Sequence, residues 1–337
     1  MKSLDEFVKK KRYLICVDSD GCAMDTMDVK HIRCFGPCMV KEWGLEEWQD
    51  QVLKRWNEIN LYSMTRGINR FLALAQALTE VDKNLKKIDG IEKLVQWSET
   101  ADELSNSSVK AVFEQSGEQI FLKAYDWSVA VNQAIGQLPE ELKLPFAGVK
   151  EGLAAAHQEA DVAIVSSANL DAVLEEWNRH KLMDSVDVCL TQNVGSKASC
   201  IGKMLGYGYE KNHVLMIGDA PGDLKAAQKN GVLYYPILVK HEKESWQRFV
   251  MEALPKFLEG TYEGAYAEEQ IQEFKEKFQR KGEGSYGRFE KETVLFIGRA
   301  GSVGGRHDQF HDYRGEDRPV VRQYGNRPFS RGIKRGC

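Results

Sequence analysis

What this chain of 337 residues lacks narrows its chemistry before any motif is read. Its seven cysteines (Cys16, Cys22, Cys34, Cys38, Cys189, Cys200 and Cys337) are scattered, odd in number and nowhere arranged as CxxC. That argues against a disulfide framework and a zinc cluster, and fits a reducing compartment such as the cytoplasm. Cys34 and Cys38 stand near His31, but no fourth metal ligand accompanies them. No apolar run reaches eighteen residues, so no membrane-spanning helix is expected. The opening stretch, MKSLDEFVKKKRYLICVD, passes from charge to a short apolar run ending in acid, without the apolar core and small-residue cleavage site of a signal peptide. A formal charge of −4 gives no overall positive field to draw nucleic acid or an anionic membrane, and neither is expected as a partner.

What is present is a soluble globular composition, 42% hydrophobic and 28% charged, long enough for two domains. The charge is uneven. From Arg299 to Cys337 nine basic residues face four acidic ones, which leaves about −9 on residues 1–298. Residues 266–281 are charged and helix-like, so 258–282 is expected to be a helical extension. Residues 283–337 are rich in Gly and Arg and are expected to be largely disordered. Within them His307, Asp308, His311 and Asp312 have a metal-like spacing, and the basic residues among Gly and Tyr suit weak RNA binding. The surrounding glycines oppose the helix a metal site would need, and neither role is adopted. Removal of 283–337 is expected to leave catalysis intact.

Four short apolar runs end in polar residues: 13–17 before Asp18, 162–165 before Ser166, 186–190 before Thr191, and 214–217 before Gly218. Such runs fit buried parallel strands, and the helical periodicity after each implies an α/β architecture. Residues 148–159 place Val149, Leu153 and Ala156 on one helix face; residues 221–229 begin at Pro221 and stop before Gly231, as a helix does. Ligands in such folds bind beyond the carboxyl ends of the strands. Residues 26–144 lack a strong strand run and show helical spacing, as at Trp48, Val52, Trp56 and Ile59. They read as a helical insertion, with its tryptophans as packing residues.

The polar strand ends hold DSDG at 18–21, Ser166, Lys197 in GSKAS, and GDAPGD at 218–223. Asp18, Asp20, Asp219 and Asp223 gather negative charge that is costly unless a cation neutralises it. Oxygen ligands in modest number suit Mg²⁺, which bridges to phosphate. Lys197 and the hydroxyl of Ser166 would donate to the remaining phosphate oxygens, with main-chain N–H groups near Ser19 and Ser167. Each piece alone is common; their joint placement at strand ends is what points to phosphate chemistry.

In these residues the chain resembles the haloacid dehalogenase superfamily, phosphatases with a helical cap inserted after the first motif, of the phosphoglycolate phosphatase and β-phosphoglucomutase-like kind. The likeness covers about residues 11–25 and 145–240. It implies a Rossmann-like parallel-sheet core at 1–25 and 145–257 with an all-helical cap at 26–144. It also implies the roles: Asp18 attacks phosphorus; Asp20 protonates the leaving oxygen and later deprotonates water; Asp18, the Asp20 carbonyl and Asp219 bind Mg²⁺ with support from Asp223; Ser166 and Lys197 hold the phosphoryl group. Ser167 is an alternative to Ser166. The chain departs from the pattern at Cys22, where threonine is usual; a small packing role is favoured over a second nucleophile. An acid at position 20 argues against dehalogenation.

Substrate choice is expected to lie in the cap. Arg66 and Arg70, in TRGINRF, are placed to clamp a substrate carboxylate or second phosphate, and the segment resembles the specificity loop of β-phosphoglucomutase-like members. His31 lies near the expected hinge. The sequence therefore predicts a Mg²⁺-dependent phosphatase of small phosphorylated metabolites. A phosphomutase using the same residues, and an inert binding protein of the same fold, are the alternatives.

Overall fold

A computed structural model describes residues 4–279, which lie in one compact unit. The expectations for 283–337, including the His307 to Asp312 spacing, fall outside the described residues. The architecture is a five-stranded parallel sheet of order β3-β2-β1-β4-β5 flanked by helices. β1 is Tyr13–Val17, β2 Ala160–Val165, β3 Val188–Leu190, β4 Val214–Gly218 and β5 Leu233–Pro236. No described helix is long and apolar enough to cross a membrane.

The near-continuous apolar character of these strands follows from burial on both faces. On one face Ile15, Val17, Ile164, Leu215 and Ile217 pack beneath Leu153, Trp177 and Trp246. On the other, Leu14, Cys16, Val165 and Met216 meet Ile201, Met204 and Leu224. Val17 pairs with Ile164 on one side and Ile217 on the other. That register makes Asp18, Ser166 and Asp219 leave the sheet at the same edge. Helices Lys197–Leu205 and Pro221–Asn230 begin at that edge too, which brings Lys197 and Asp223 to it.

The pattern did not reveal β5. Leu-Tyr-Tyr-Pro has one aliphatic residue and ends in proline, which suits an edge strand that does not need every N–H. Its tyrosines are buried and tied down: Tyr234 Oη donates to Gly218 O at 2.9 Å, and Tyr262 Oη to Tyr234 O at 2.7 Å. The charged helix Ala265–Gln279 covers this edge through Phe274, which meets Tyr234 edge-on at 5.6 Å.

Between β1 and β2 the chain is helical, including Gly36–Trp43, Gln49–Leu61, Arg70–Asn84 and Gln119–Gly136. This insertion has its own core around Trp56, Phe71, Leu74, Trp127 and Val131. Val52, Trp56 and Ile59 form the buried stripe of their helix, as the spacing predicts. The two crossings into the insertion are pinned together, with Asp25 N donating to Leu144 O at 2.8 Å and Phe146 N to Ala23 O at 3.0 Å.

Candidate active site

Asp18 ends β1, is 5% exposed, and is fixed at its main chain by donating N–H to Ile217 O at 3.0 Å. Its Oδ1 accepts from Ser19 N at 2.7 Å and its Oδ2 lies 2.8 Å from Lys197 Nζ. Ser19 is in turn held by Trp177, whose Nε1 donates to Ser19 Oγ at 2.9 Å. The chain then turns sharply: Ala23 N and Met24 N both donate to Ser19 O. Gly21 makes the turn with φ +82°, and a Cβ there would lie 2.5 Å from Asp219 Oδ2. Only glycine fits, for reasons of both conformation and space.

Lys197 Nζ also reaches Asp223 Oδ1 at 2.5 Å, so one ammonium bridges two acids from different motifs. Burial opposes its charge, but Asp18 and Asp223 outweigh that and raise its pKa well above the usual value. Asp223 accepts from Ala220 N at 3.0 Å through Oδ2, closing the start of its helix behind Pro221. Asp219 accepts from Arg66 Nε at 2.7 Å through Oδ2, while its Oδ1 is buried without a partner among the described residues. Burial, with Asp18 adding to it and Arg66 opposing, pushes Asp219 up to about 6. Burial likewise pushes Asp223 up to about 7, against the pull of Lys197.

Asp18, Asp219 and Asp223 each offer an oxygen, all within 4.8 Å of one another. An oxygen-only set with one orphaned buried carboxylate oxygen fits a hard divalent cation such as Mg²⁺. Asp223, with both oxygens engaged, is placed to orient the others.

A cavity of about 620 Å³ opens above this cluster, between the sheet edge and the insertion. Asp18, Asp20, Ser166, Ser167 and Lys197 all line it. Ser166 is 2% exposed, and its Oγ accepts from Ala168 N at 3.2 Å, which leaves its proton for a ligand. Ser167 is exposed. The two arginines part. Arg70 lines the cavity beside the Phe35 ring, with Nη1 donating to Ser128 Oγ at 3.0 Å and Asn132 Oδ1 at 2.8 Å. No carboxylate pairs with it among the described residues, and burial pushes its pKa down to about 10. Arg66, 2% exposed, turns instead to Asp219 and donates to Leu61 O at 3.0 Å; it is not on the cavity wall. The expected pair of clamping arginines is thus one arginine at the cavity and one at the acid cluster. Gly67 permits this docking, since a Cβ there would lie 2.8 Å from Ala220 Cβ.

Asp20 is held by two residues that sequence reasoning passed over. Thr26 Oγ1 donates to Asp20 Oδ1 at 2.6 Å, and Lys30 Nζ at 2.7 Å. Lys30 also lies 3.0 Å from Glu176 Oε1. The signal for Glu176 was an acid at i+3 in the apolar stripe that joins Val173 to Trp177. His31 lines the cavity, stacked on Phe35 at 4.5 Å. Cys22 is fully buried with Sγ 3.6 Å from Ile217 O, and burial, reinforced by Asp219 and Asp18, raises its thiol pKa well above the usual value. That is a packing group.

A haloacid dehalogenase-like hydrolase family model matches residues 83–236, which include Ser166, Lys197, Asp219 and Asp223. A comparison with curated proteins gives no match. Among solved structures, the chain is similar to a haloacid dehalogenase-like hydrolase from Streptococcus pneumoniae at 14% identity, over 73% of this chain and 98% of that one, with TM-score 0.44. A haloacid dehalogenase-like hydrolase from Xanthomonas campestris matches at 13% identity, over 77% and 99%, with TM-score 0.44. A predicted phosphoglycolate phosphatase from Haemophilus somnus matches at 16% identity, over 67% and 85%, with TM-score 0.39. None of these likenesses bears on substrate. The family match covers the later motifs, and Asp18, which lies outside it, meets Asp219 and Asp223 in space.

Proposed function

We propose that this chain is a Mg²⁺-dependent hydrolase of small phosphomonoesters that works through an aspartyl-phosphate on Asp18. The observation that carries the reading is Lys197 bridging Asp18 and Asp223 beside the unpartnered Oδ1 of Asp219, at the floor of a cavity of about 620 Å³. An aspartate is already ionised at neutral pH and needs no base to act as nucleophile. Magnesium, held by Asp18, the Asp20 carbonyl and Asp219 with Asp223 behind them, would offset the repulsion between carboxylate and phosphate.

A carboxylate oxygen of Asp18 forms the bond to phosphorus as the ester oxygen leaves, taking a proton from Asp20. Lys197 and Ser166 hold the phosphoryl oxygens through this transfer. Asp20, now a carboxylate, takes a proton from water as the water oxygen attacks phosphorus. The bond to Asp18 breaks, inorganic phosphate leaves, and Asp18 and Asp20 return to their starting states. Arg70 supplies the cavity with a cation that no carboxylate among the described residues pairs with, which suits a substrate with a second anionic group.

The deciding experiment is phosphate release from p-nitrophenyl phosphate by the full chain with Mg²⁺, with EDTA, and with Asp18→Asn. Release that needs the metal and vanishes in the variant supports the reading. Metal-independent release, or release that survives Asp18→Asn, would sink it. A folded wild type that isomerises a sugar phosphate while releasing none would make the protein a mutase with the same nucleophile.

A further inference from the structure

Asp20 presents its two oxygens differently. Oδ1 accepts from both Thr26 Oγ1 and Lys30 Nζ, whereas Oδ2 has no partner among the described residues and belongs to a side chain on the cavity wall. Lys30 is 4% exposed and sits between two acids, Asp20 at 2.7 Å and Glu176 at 3.0 Å. It comes from Met27–Lys30, the first helical turn after the nucleophile loop, while Glu176 comes from Leu170–Arg179 beyond β2. The contact therefore spans the start of the insertion and the sheet-flanking layer. A buried lysine needs one acid to be neutralised, and here it has two. Glu176 is 4% exposed, and its Oε2 is buried without a partner among the described residues. The second acid is unnecessary for charge balance, but it fixes where the ammonium sits.

We propose that Lys30, oriented by Glu176, is a positioning residue for the proton transfer by Asp20: it pins Oδ1 and so presents Oδ2 to the leaving-group oxygen. The proposal rests on Asp20 being the acid of the reaction described above. In that step the phosphorus–oxygen bond of the ester breaks as the bond to Asp18 forms, and the proton on Asp20 Oδ2 passes to the departing oxygen. Without Lys30, Oδ1 keeps only the Thr26 hydroxyl, and the Asp20 and Glu176 carboxyl groups face each other with nothing between them. The carboxyl then rotates off line, and misplacement of such a group by even an ångström costs rate rather than affinity.

The test compares two leaving groups, because p-nitrophenolate departs with little help whereas an alkoxide must be protonated. The value of kcat/KM reports the steps up to departure of the alcohol. For Lys30→Met in the full chain with Mg²⁺, kcat/KM for glycerol 2-phosphate is expected to fall about 100-fold, and that for p-nitrophenyl phosphate by less than about 10-fold. Glu176→Leu should show the same bias more weakly, and Glu176→Gln, which keeps an oxygen for Lys30, weaker still. Equal losses on both substrates would reduce Lys30 to a structural ion pair and overturn the proposal, as would no loss on either. If Lys30→Met does not fold, the Glu176 pair decides by the same ratio. Failure of the underlying reading is distinct: the wild type would then release phosphate from neither substrate, or Asp20→Asn would leave the ratio of the two unchanged.

Discussion

Arg66 Nε lies 2.7 Å from Asp219 Oδ2, with both side chains buried, so an arginine from the helical insertion neutralises an acid at the end of β4. Removing one partner of such a buried pair typically costs about 3–5 kcal/mol, because the other charge is left without compensation. A divalent cation at Asp219 would supply that compensation in its place. Arg66→Met should therefore lower the melting temperature more in EDTA than in excess Mg²⁺, which differential scanning fluorimetry would read. Equal shifts in the two conditions would detach Arg66 from the metal site.

Lys197 holds Asp18 and Asp223 at 2.8 and 2.5 Å. With Lys197→Met the two carboxylates face each other, and the phosphoryl group loses a donor. We expect kcat for p-nitrophenyl phosphate to fall by about 10²–10³-fold, the usual range for one lost electrostatic contact to a transferring group. A loss confined to KM would show that Lys197 only assists binding.

Arg70 is a cation of the cavity that no described carboxylate pairs with, and it should discriminate between substrates. A charged hydrogen bond is worth about 1.5–3 kcal/mol, or roughly 10- to 150-fold in affinity. Arg70→Met should raise KM for 2-phosphoglycolate within that range and leave p-nitrophenyl phosphate nearly unaffected. Equal effects on both would make Arg70 a support for Ser128 and Asn132 and nothing more.

His31 carries a pH signature. Burial first, then Arg66, pushes its pKa down to about 3, from an ordinary value near 6.5. Its Nδ1 is buried without a partner among the described residues. Between these pH values the unfolded chain binds the proton and the folded chain does not, so stability falls as pH drops from about 6.5 toward 3. The slope from this residue is below about 1.4 kcal/mol per pH unit, because the ring partly borders the cavity and water screens it. His31→Phe should flatten the acid limb of a denaturation midpoint plotted against pH. An unchanged acid limb would show that His31 takes up its proton alike in the folded and unfolded chain.

The strand ends that meet at the cavity were legible because burial on both faces forces a continuous apolar run, and the first polar residues mark its end. Asp18, Ser166 and Asp219 were found that way. The stripe of Val52, Trp56 and Ile59 was legible for the same reason, as one face of a helix against the core of the insertion. β5 was not, since an edge strand of two tyrosines and a proline has no such pattern.

Arg66 and Arg70 show where sequence stops. Four residues apart around Gly67, they read as a pair, yet one docks on Asp219 and the other borders the cavity. Arg70 is set against Phe35, Ser128 and Asn132 by packing within the insertion, whereas Arg66 meets Asp219, distant in sequence, only once the insertion lies on the sheet edge. Lys30 and Glu176 stand 146 positions apart and meet for the same reason. The sequence by itself determined which acids, hydroxyls and lysine stand at the strand ends, because those positions follow from residue types bounding apolar runs. Tertiary structure alone decided which charges are shared and which are left free. Ion pairing depends on distances of a few ångströms between segments that share no local pattern.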